Sequence, residues 1–170
     1  MKQRITIEYL EQLNEAQQNN LRDIWVPERY DAAVAKMITN AEDGSFKWIE
    51  FSVGDVVVQS NGRTVLHDLR LTDGYVKIIE GELPEEEFQL QEPTSFSKLE
   101  SLPLLSIGQL ISMLHLMDKN KYHFYLLSGN KDFACEIGDF NSELKASILS
   151  KSTIKDELVD VLWSTLKTIL

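Results

Sequence analysis

Residues 46–79 read FKWIEFSVGDVVVQSNGRTVLHDLRLTDGYVKII, and the way this stretch divides decides the fold. Apolar β-branched and aromatic residues alternate with polar ones over FKWIEF, DVVVQ, RTVLHDLRL and YVKII, a period of two that predicts four strands. Asn61-Gly62 and Asp73-Gly74 are dipeptides that favour two-residue type I′ turns, so each predicts a tight hairpin. A two-residue turn fixes which residues face each other. The first would pair Val58 with Val65 and Val56 with His67. The second would pair Leu71 with Val76, Leu69 with Ile78 and His67 with Glu80. One face then carries Val56, Val58, Val65, Leu69, Leu71, Val76 and Ile78 and looks inward, while Asp55, Asp68, Arg70 and Lys77 look to water.

On the N-terminal side, residues 1–44 read as helical. Asn14 with Gln17 three residues on forms a capping box, Leu21, Ile24 and Trp25 mark an apolar face, and Pro27 ends that helix. The alanine-rich segment 28–39 predicts a second helix, ending near Asn40 and Gly44. On the C-terminal side, Pro84, Pro93 and Pro103 make residues 81–103 a long acidic connection, with a short edge strand at EFQLQ. Ser106 is placed to cap a helix within 104–118, where Ile107, Leu110, Ile111, Leu114 and Met117 share a face that Met113 and Leu116 widen. Such a face predicts a largely buried central helix. YHFYLLS and DFACEIG predict a hairpin over 121–138 around Gly129-Asn130.

The last segment, 152–170, predicts an amphipathic helix capped by Ser152 or Thr153. Ile154, Leu158, Val161, Leu162, Leu166 and Ile169 recur at helical spacing, and Val159, Trp163 and Leu170 broaden the apolar side. Asp156, Glu157 and Asp160 lie towards its N-terminus and Lys167 near its C-terminus, the polarity that the helix dipole favours. It must dock on the sheet or on the 107–117 helix, and exposure along Val159 and Trp163 would mark a homodimer or partner surface. The pattern is that of one α+β domain over residues 1–170. An antiparallel meander of about four strands and a later hairpin pack with N-terminal, central and C-terminal helices.

Composition excludes several functions. The net charge is −10 and the seventeen Lys and Arg form no stripe, so direct nucleic-acid binding and binding to an anionic membrane are not expected. The longest apolar stretch, within 102–117, is broken by Ser106, Gly108, Gln109, Ser112 and His115 and cannot span a bilayer. The N-terminus lacks the apolar run of a secretory signal. Cys135 is the only cysteine, which precludes an internal disulfide and fits a reducing, cytoplasmic setting. Residues 80–92 hold six glutamates and no base, the pattern of a solvated loop.

Few residues could carry chemistry. His67 falls on the apolar face opposite Glu80, and a carboxylate beside an imidazole orients it as a general base needs. The competing reading is a satisfied histidine at the sheet margin. Cys135 lies near His123 in sequence, but the hairpin register pairs Cys135 with Phe124 and His123 with Glu136 on the other face. A cysteine among Phe124, Leu126, Phe133 and Ile137 is a small hydrophobe, not a nucleophile. His115 and His123 lack a third ligand at zinc spacing, and consecutive Glu85, Glu86 and Glu87 diverge rather than converge on calcium. No phosphate-binding, nucleophile-elbow or zinc-protease motif occurs, so neither a metal nor a cofactor is expected. Trp25, Trp48 and Trp163 lie in three elements and read as core.

Three segments, ITIEYLEQLNEAQQNNLRDIW, LPLLSIGQLISML and DELVDVLWSTLK, carry a resemblance. Their order and character resemble a group of small, uncharacterised cytoplasmic proteins of Firmicutes and their prophages. That resemblance implies a bacterial cytoplasm and a mobile-element setting, and it transfers no catalytic or binding residue. Two function classes follow. One is a non-catalytic, acidic protein-interaction or accessory factor whose charge steers it towards a basic protein partner. The alternative is an enzyme of unfamiliar type that uses His67 and Glu80 as a histidine–carboxylate pair.

Overall fold

Strands β1 (Ala32–Asn40) and β2 (Ser45–Val58) form an antiparallel hairpin from which a five-stranded sheet grows. The computed structural model describes residues 2–40, 42–81, 94–118, 122–129, 133–139, 147–148 and 157–170. The chain divides into two compact units, Leu21–Leu104 and Met1–Asn20 with Leu105–Leu170. Helices and antiparallel strands coexist in it, so the fold is α+β.

In the unit formed by Leu21–Leu104, β3 (Thr64–Asp68), β4 (Ser95–Ser97) and β5 (Ser101–Pro103) complete a sheet of order β4-β3-β2-β1-β5. Its two edge strands are nearly consecutive in the chain, joined by one 3-10 turn at Lys98–Glu100. Four residues of chain reach at most about 14 Å, whereas a flat sheet would hold β4 and β5 about 19 Å apart. The sheet is therefore rolled, and Ser101 Oγ donates to the Ser97 carbonyl at 2.8 Å where its edges meet. Phe51 and Phe96 stack inside the curl with centroids 4.3 Å apart, beside buried Val53 and Leu66.

The roll depends on β2, which is one bent strand rather than the two expected. Residues 45–52 pair with β1 and residues 53–58 with β3, and the register slips between Val53 and Asp55. Gly54 sits in that bulge. A Cβ there would lie 2.6 Å from Leu69 Cα and 2.9 Å from Leu69 N, and would also meet Thr72 Oγ1.

Further expectations are corrected in this unit. The alanine-rich segment 28–39 is not a helix. Residues 32–40 are β1, held between β2 and β5, with Ala33, Val34 and Ala35 buried. Tertiary pairing overrides alanine's helix propensity here. Residues 69–79 are not strand but an 11-residue helix, α3 (Leu69–Ile79), and Gly74 lies buried inside it without a positive φ. Asp73-Gly74 is thus no turn. Asn61-Gly62 does join β2 to β3, but the Gln59 amide donates to the Arg63 carbonyl, the Gly62 amide donates to the Gln59 carbonyl, and Val58 pairs with Thr64. The loop therefore holds three residues, 60–62, with Gly62 at φ +81, as in a three-residue turn. One extra loop residue moves His67 from Val56 to Asp55 and inverts the expected facing. Asp68 is buried, while Val58 and Val76 are exposed. Trp48, read as core, is only half-buried, with Lys36 over its ring. Trp25 is buried.

The other unit opens with α1 (Ile7–Glu11) and the first residues of α2 (Glu15–Ile24), whose last turn belongs to Leu21–Leu104 and whose start carries the expected capping box. Asn14 Oδ1 accepts from the Gln17 amide at 2.9 Å and Gln17 Oε1 from the Asn14 amide at 3.2 Å. The central helix α4 (Ile107–Asp118) opens on a second box, Ser106 with Gln109. It buries Leu110, Met113 and Leu114 but leaves Leu116 exposed, so its apolar face is narrower than expected. β6 (Tyr122–Ser128), β7 (Phe133–Asp139) and β8 (Ser147–Ile148) form a three-stranded sheet. Cys135 pairs with Leu126 and His123 with Gly138, two residues from the expected register. An even shift keeps Cys135 on the same face of the hairpin, and it is fully buried.

The last helix, α5 (Leu158–Ile169), packs on α4 and β7. Glu157, in extended conformation, occupies its N-cap position, and Ser152 and Thr153 lie outside the described residues. Val159 and Trp163 are buried, so they present no dimer surface. Tyr9 donates to Asp160 Oδ1, and Lys2 Nζ donates to the Tyr9 hydroxyl at 2.9 Å. Burial, with the Asp160 carboxylate beside it, holds the Tyr9 hydroxyl above its ordinary pKa. Among the described residues no helix is long and apolar enough to cross a membrane.

Two substitutions test these cores by chemical denaturation. Gly54→Ala should destabilise the protein by about 1–3 kcal/mol, because two of the atoms it meets, Leu69 Cα and N, are backbone and cannot rotate away. Leu162→Ala should cost roughly 2–5 kcal/mol by leaving a cavity at a fully buried site.

Candidate functional site

The first turn of α3 is where charge, a strand end and concave surface coincide. β3 ends at Asp68, whose Oδ1 accepts from the Arg70 amide at 2.8 Å and so caps the helix. Its Oδ2 receives Arg70 Nε at 3.0 Å and Nη2 at 2.6 Å, a forked, charge-assisted pair. The Asp68 amide donates to the Thr94 carbonyl at 2.8 Å. The carboxylate is buried and the guanidinium half-exposed. Both Asp68 oxygens are thus engaged in holding the helix start, which suits structure rather than proton transfer.

Two clefts flank the point where α3 crosses β2. The smaller, about 300 Å³, runs between Glu50, Phe51 and Ser52 of β2 and Asp68, Leu69, Arg70 and Asp73. The larger, about 580 Å³, lies among Pro27, Glu28, Arg29, Gly54, Asp55, Val56, Thr72 and Val76. Its rim is a tight turn that ends α2 and starts β1. Asp31 Oδ2 accepts from Trp25 Nε1 and from the Glu28 amide, both at 3.0 Å. Tyr30 takes φ +73 there and donates its amide to the Val53 carbonyl at 2.7 Å. A non-glycine residue in the left-handed region is strained and persists only when its surroundings fix it. Arg29 reaches Asp73 at 3.6 Å, but both are half-exposed and the pair contributes little.

The residues singled out from sequence do not converge. Glu80 is the C-cap of α3 and not a strand partner of His67. His67 is half-buried, pairs with Asp55 on one side and Ser95 on the other, and has Ser95 Oγ 3.3 Å from Nδ1. A serine, a histidine and an aspartate thus stand in one cross-strand row, yet Asp55 Oδ1 accepts from the Val56 amide at 2.8 Å. No hydrogen bond between Asp55 and His67 occurs among the described residues. Burial of Cys135 disfavours its reactive thiolate. His115 is exposed on α4, and of the acidic segment 80–92 all but Glu80 and Gly81 lie outside the described residues. Among the described residues no group of three His, Cys, Asp or Glu could hold a metal ion. Sequence reasoning missed the Asp68–Arg70 fork, although D-x-R ahead of a helix is an N-cap signal.

Asp68→Ala should cost about 2 kcal/mol, the upper end of the range for a lost cap. Asp68→Asn, which keeps an acceptor but not the charge, should cost less when both are compared in urea. No family model, no curated protein and no solved structure matches the chain.

Proposed function

We propose that this chain is a non-catalytic interaction factor that binds a basic protein partner. The observation that carries this reading is the solvent-open apolar side of α3. It runs from Val76, at the wall of the larger cleft, to Ile79, which is 84% exposed. Contiguous exposed apolar residues beside polar ones are the usual mark of a protein contact. The acidic setting supports a basic partner: Glu28 and Asp55 line the same cleft, the net charge is −10, and the chain runs on from Ile79 into residues 80–92 with their six glutamates. Acidic surfaces steer association with basic ones. A bacterial cytoplasm and a prophage setting belong to the proposal through the sequence resemblance alone.

The alternative, an enzyme that uses a histidine–carboxylate pair, would draw on the row formed by Ser95, His67 and Asp55. That row lacks the aspartate–imidazole bond that orients a general base.

The test is capture from a bacterial lysate by wild-type protein and by a Val76→Asp, Ile79→Asp double variant. Both side chains are exposed, so the variant should fold and melt like wild type. Wild type should retain a basic protein in near-stoichiometric amount, and the variant should lose it at least tenfold. Wild type that retains no protein overturns the reading.

A further inference from the structure

We propose that the larger cleft seats one arginine side chain of the partner, its guanidinium held by Glu28 and Asp55 and its stem by apolar walls. The proposal rests on the interaction reading above and names the group that this acidic chain recognises.

The cleft encloses about 580 Å³ between three elements: residues 27–29 of the turn, residues 54–56 of β2, and Thr72 with Val76 of α3. Its two carboxylates stand on different walls, Glu28 on the turn and Asp55 on the strand. Among the described residues neither meets a cation. Arg29 also lines the cleft, but its guanidinium lies over the Tyr30 ring, 5.1 Å from the centroid, and pairs with Asp73 at 3.6 Å. Asp73 offsets that charge, so Glu28 and Asp55 leave the cleft with an excess of negative charge. The backbone beneath both carboxylates is fixed in advance. Asp31 Oδ2 holds the Glu28 amide at 3.0 Å, in the turn that Tyr30 closes at φ +73. Asp55 Oδ1 accepts from the Val56 amide at 2.8 Å, and no described bond takes its Oδ2. A site set in place beforehand loses less freedom when it binds, and backbone strain such as that of Tyr30 clusters where ligands are clamped.

A cation in this cleft also faces Pro27, Val56 and Val76. Arginine answers both demands, because its methylenes lie along apolar walls while a planar fork of donors reaches acceptors in more than one direction. Lysine brings a more compact and more strongly hydrated charge, which suits apolar walls less well. An apolar residue beside that arginine then falls on the exposed stretch from Val76 to Ile79. An anionic ligand is disfavoured, since it would meet two unmatched carboxylates and a guanidinium that is already paired.

The probe is the acetylated, amidated pentapeptide Gly-Leu-Arg-Leu-Gly, with counterparts that carry lysine or the uncharged isostere citrulline in place of arginine. Amide-shift titrations by NMR would be run on wild type, Glu28→Gln, Asp55→Asn and their double variant. Glu100→Gln is the control, since that exposed carboxylate lines neither cleft. Asp55→Asn keeps an acceptor for the Val56 amide, and Glu28 is exposed, so the variants should fold like wild type. If Asp55→Asn proves unstable, Glu28→Gln alone still decides. The arginine peptide should bind wild type and shift the amides of Asp55, Val56 and Val76. The double variant should weaken that binding about tenfold, and so should citrulline in the peptide, with lysine in between. Glu100→Gln should change nothing. Absence of arginine-peptide binding overturns the proposal. So does binding that the double variant does not weaken, or that Glu100→Gln weakens as much, since either marks a general attraction to an acidic chain. Equal binding of the citrulline peptide overturns recognition of charge, and equal binding of the lysine peptide overturns the choice of arginine. Self-association of wild type that the double variant abolishes overturns it in favour of a second copy. Lysate capture that persists in the double variant overturns the cleft assignment alone, whereas wild type that captures no protein overturns the interaction reading itself.

Discussion

The missing side chain of Gly54 is the constraint on which the rest of Leu21–Leu104 depends. Any Cβ there would enter the backbone of Leu69, so only glycine lets the first turn of α3 lie against β2. The same residue sits in the bulge that re-aims β2 from β1 to β3. Bend and helix contact are therefore one event. The bend brings β4 and β5 close enough for three residues to join them, and the helix contact creates a cleft on each side of the crossing. A flat β2 would leave Phe51 and Phe96 on a sheet surface instead of against each other.

What sequence reveals here depends on the range of the interaction that decides each element. Helix starts are local, and the caps of α2 and α4 are legible because a side chain need only reach an amide three residues away. The apolar stripe of α5 was legible for a similar reason, since Leu162 and Leu166 recur with the helical period. Residues 69–79 misled because their chemistry supports two readings. Leu69, Leu71, Val76, Ile78 and Ile79 fit a strand or a helix, and Asp73-Gly74 is a strong turn signal. The balance is tipped by Asp68, whose cap and Arg70 fork commit the chain to a helix. Segment 28–39 failed for the opposite reason. Alanine prefers a helix, but the strained turn at Tyr30 and the carbonyl of Val53 deliver the chain into the sheet. That is a non-local fact.

The candidate site was less legible than the fold because a cross-strand pair hangs on a single loop residue. A loop of three rather than two residues at 60–62 changes His67's opposite number from Val56 to Asp55. The second predicted turn does not exist, which removes Glu80 from the sheet altogether. An error of two residues in the later hairpin did no such harm, since Cys135 kept its face and its burial. The asymmetry is a property of β-structure: odd slips exchange faces and even slips do not.

Asp68 links fold to candidate function in a way that neither its burial nor its charge alone would suggest. It is the last residue of β3 and the cap of α3, so the residue that starts the helix also stops the strand. Since β3 stops there, β2 runs on for residues 45–51 with β1 as its strand partner and with the first turn of α3 beyond Ser52 on its other side. An open edge invites unwanted pairing, and proteins blunt such edges with charge. Glu50 is such a charge, exposed on the strand at the cleft. A carboxylate there opposes edge-to-edge pairing with another copy of the same acidic chain. The residue that ends β3 and caps α3 therefore also decides where β2 runs on beside a helix instead of a strand.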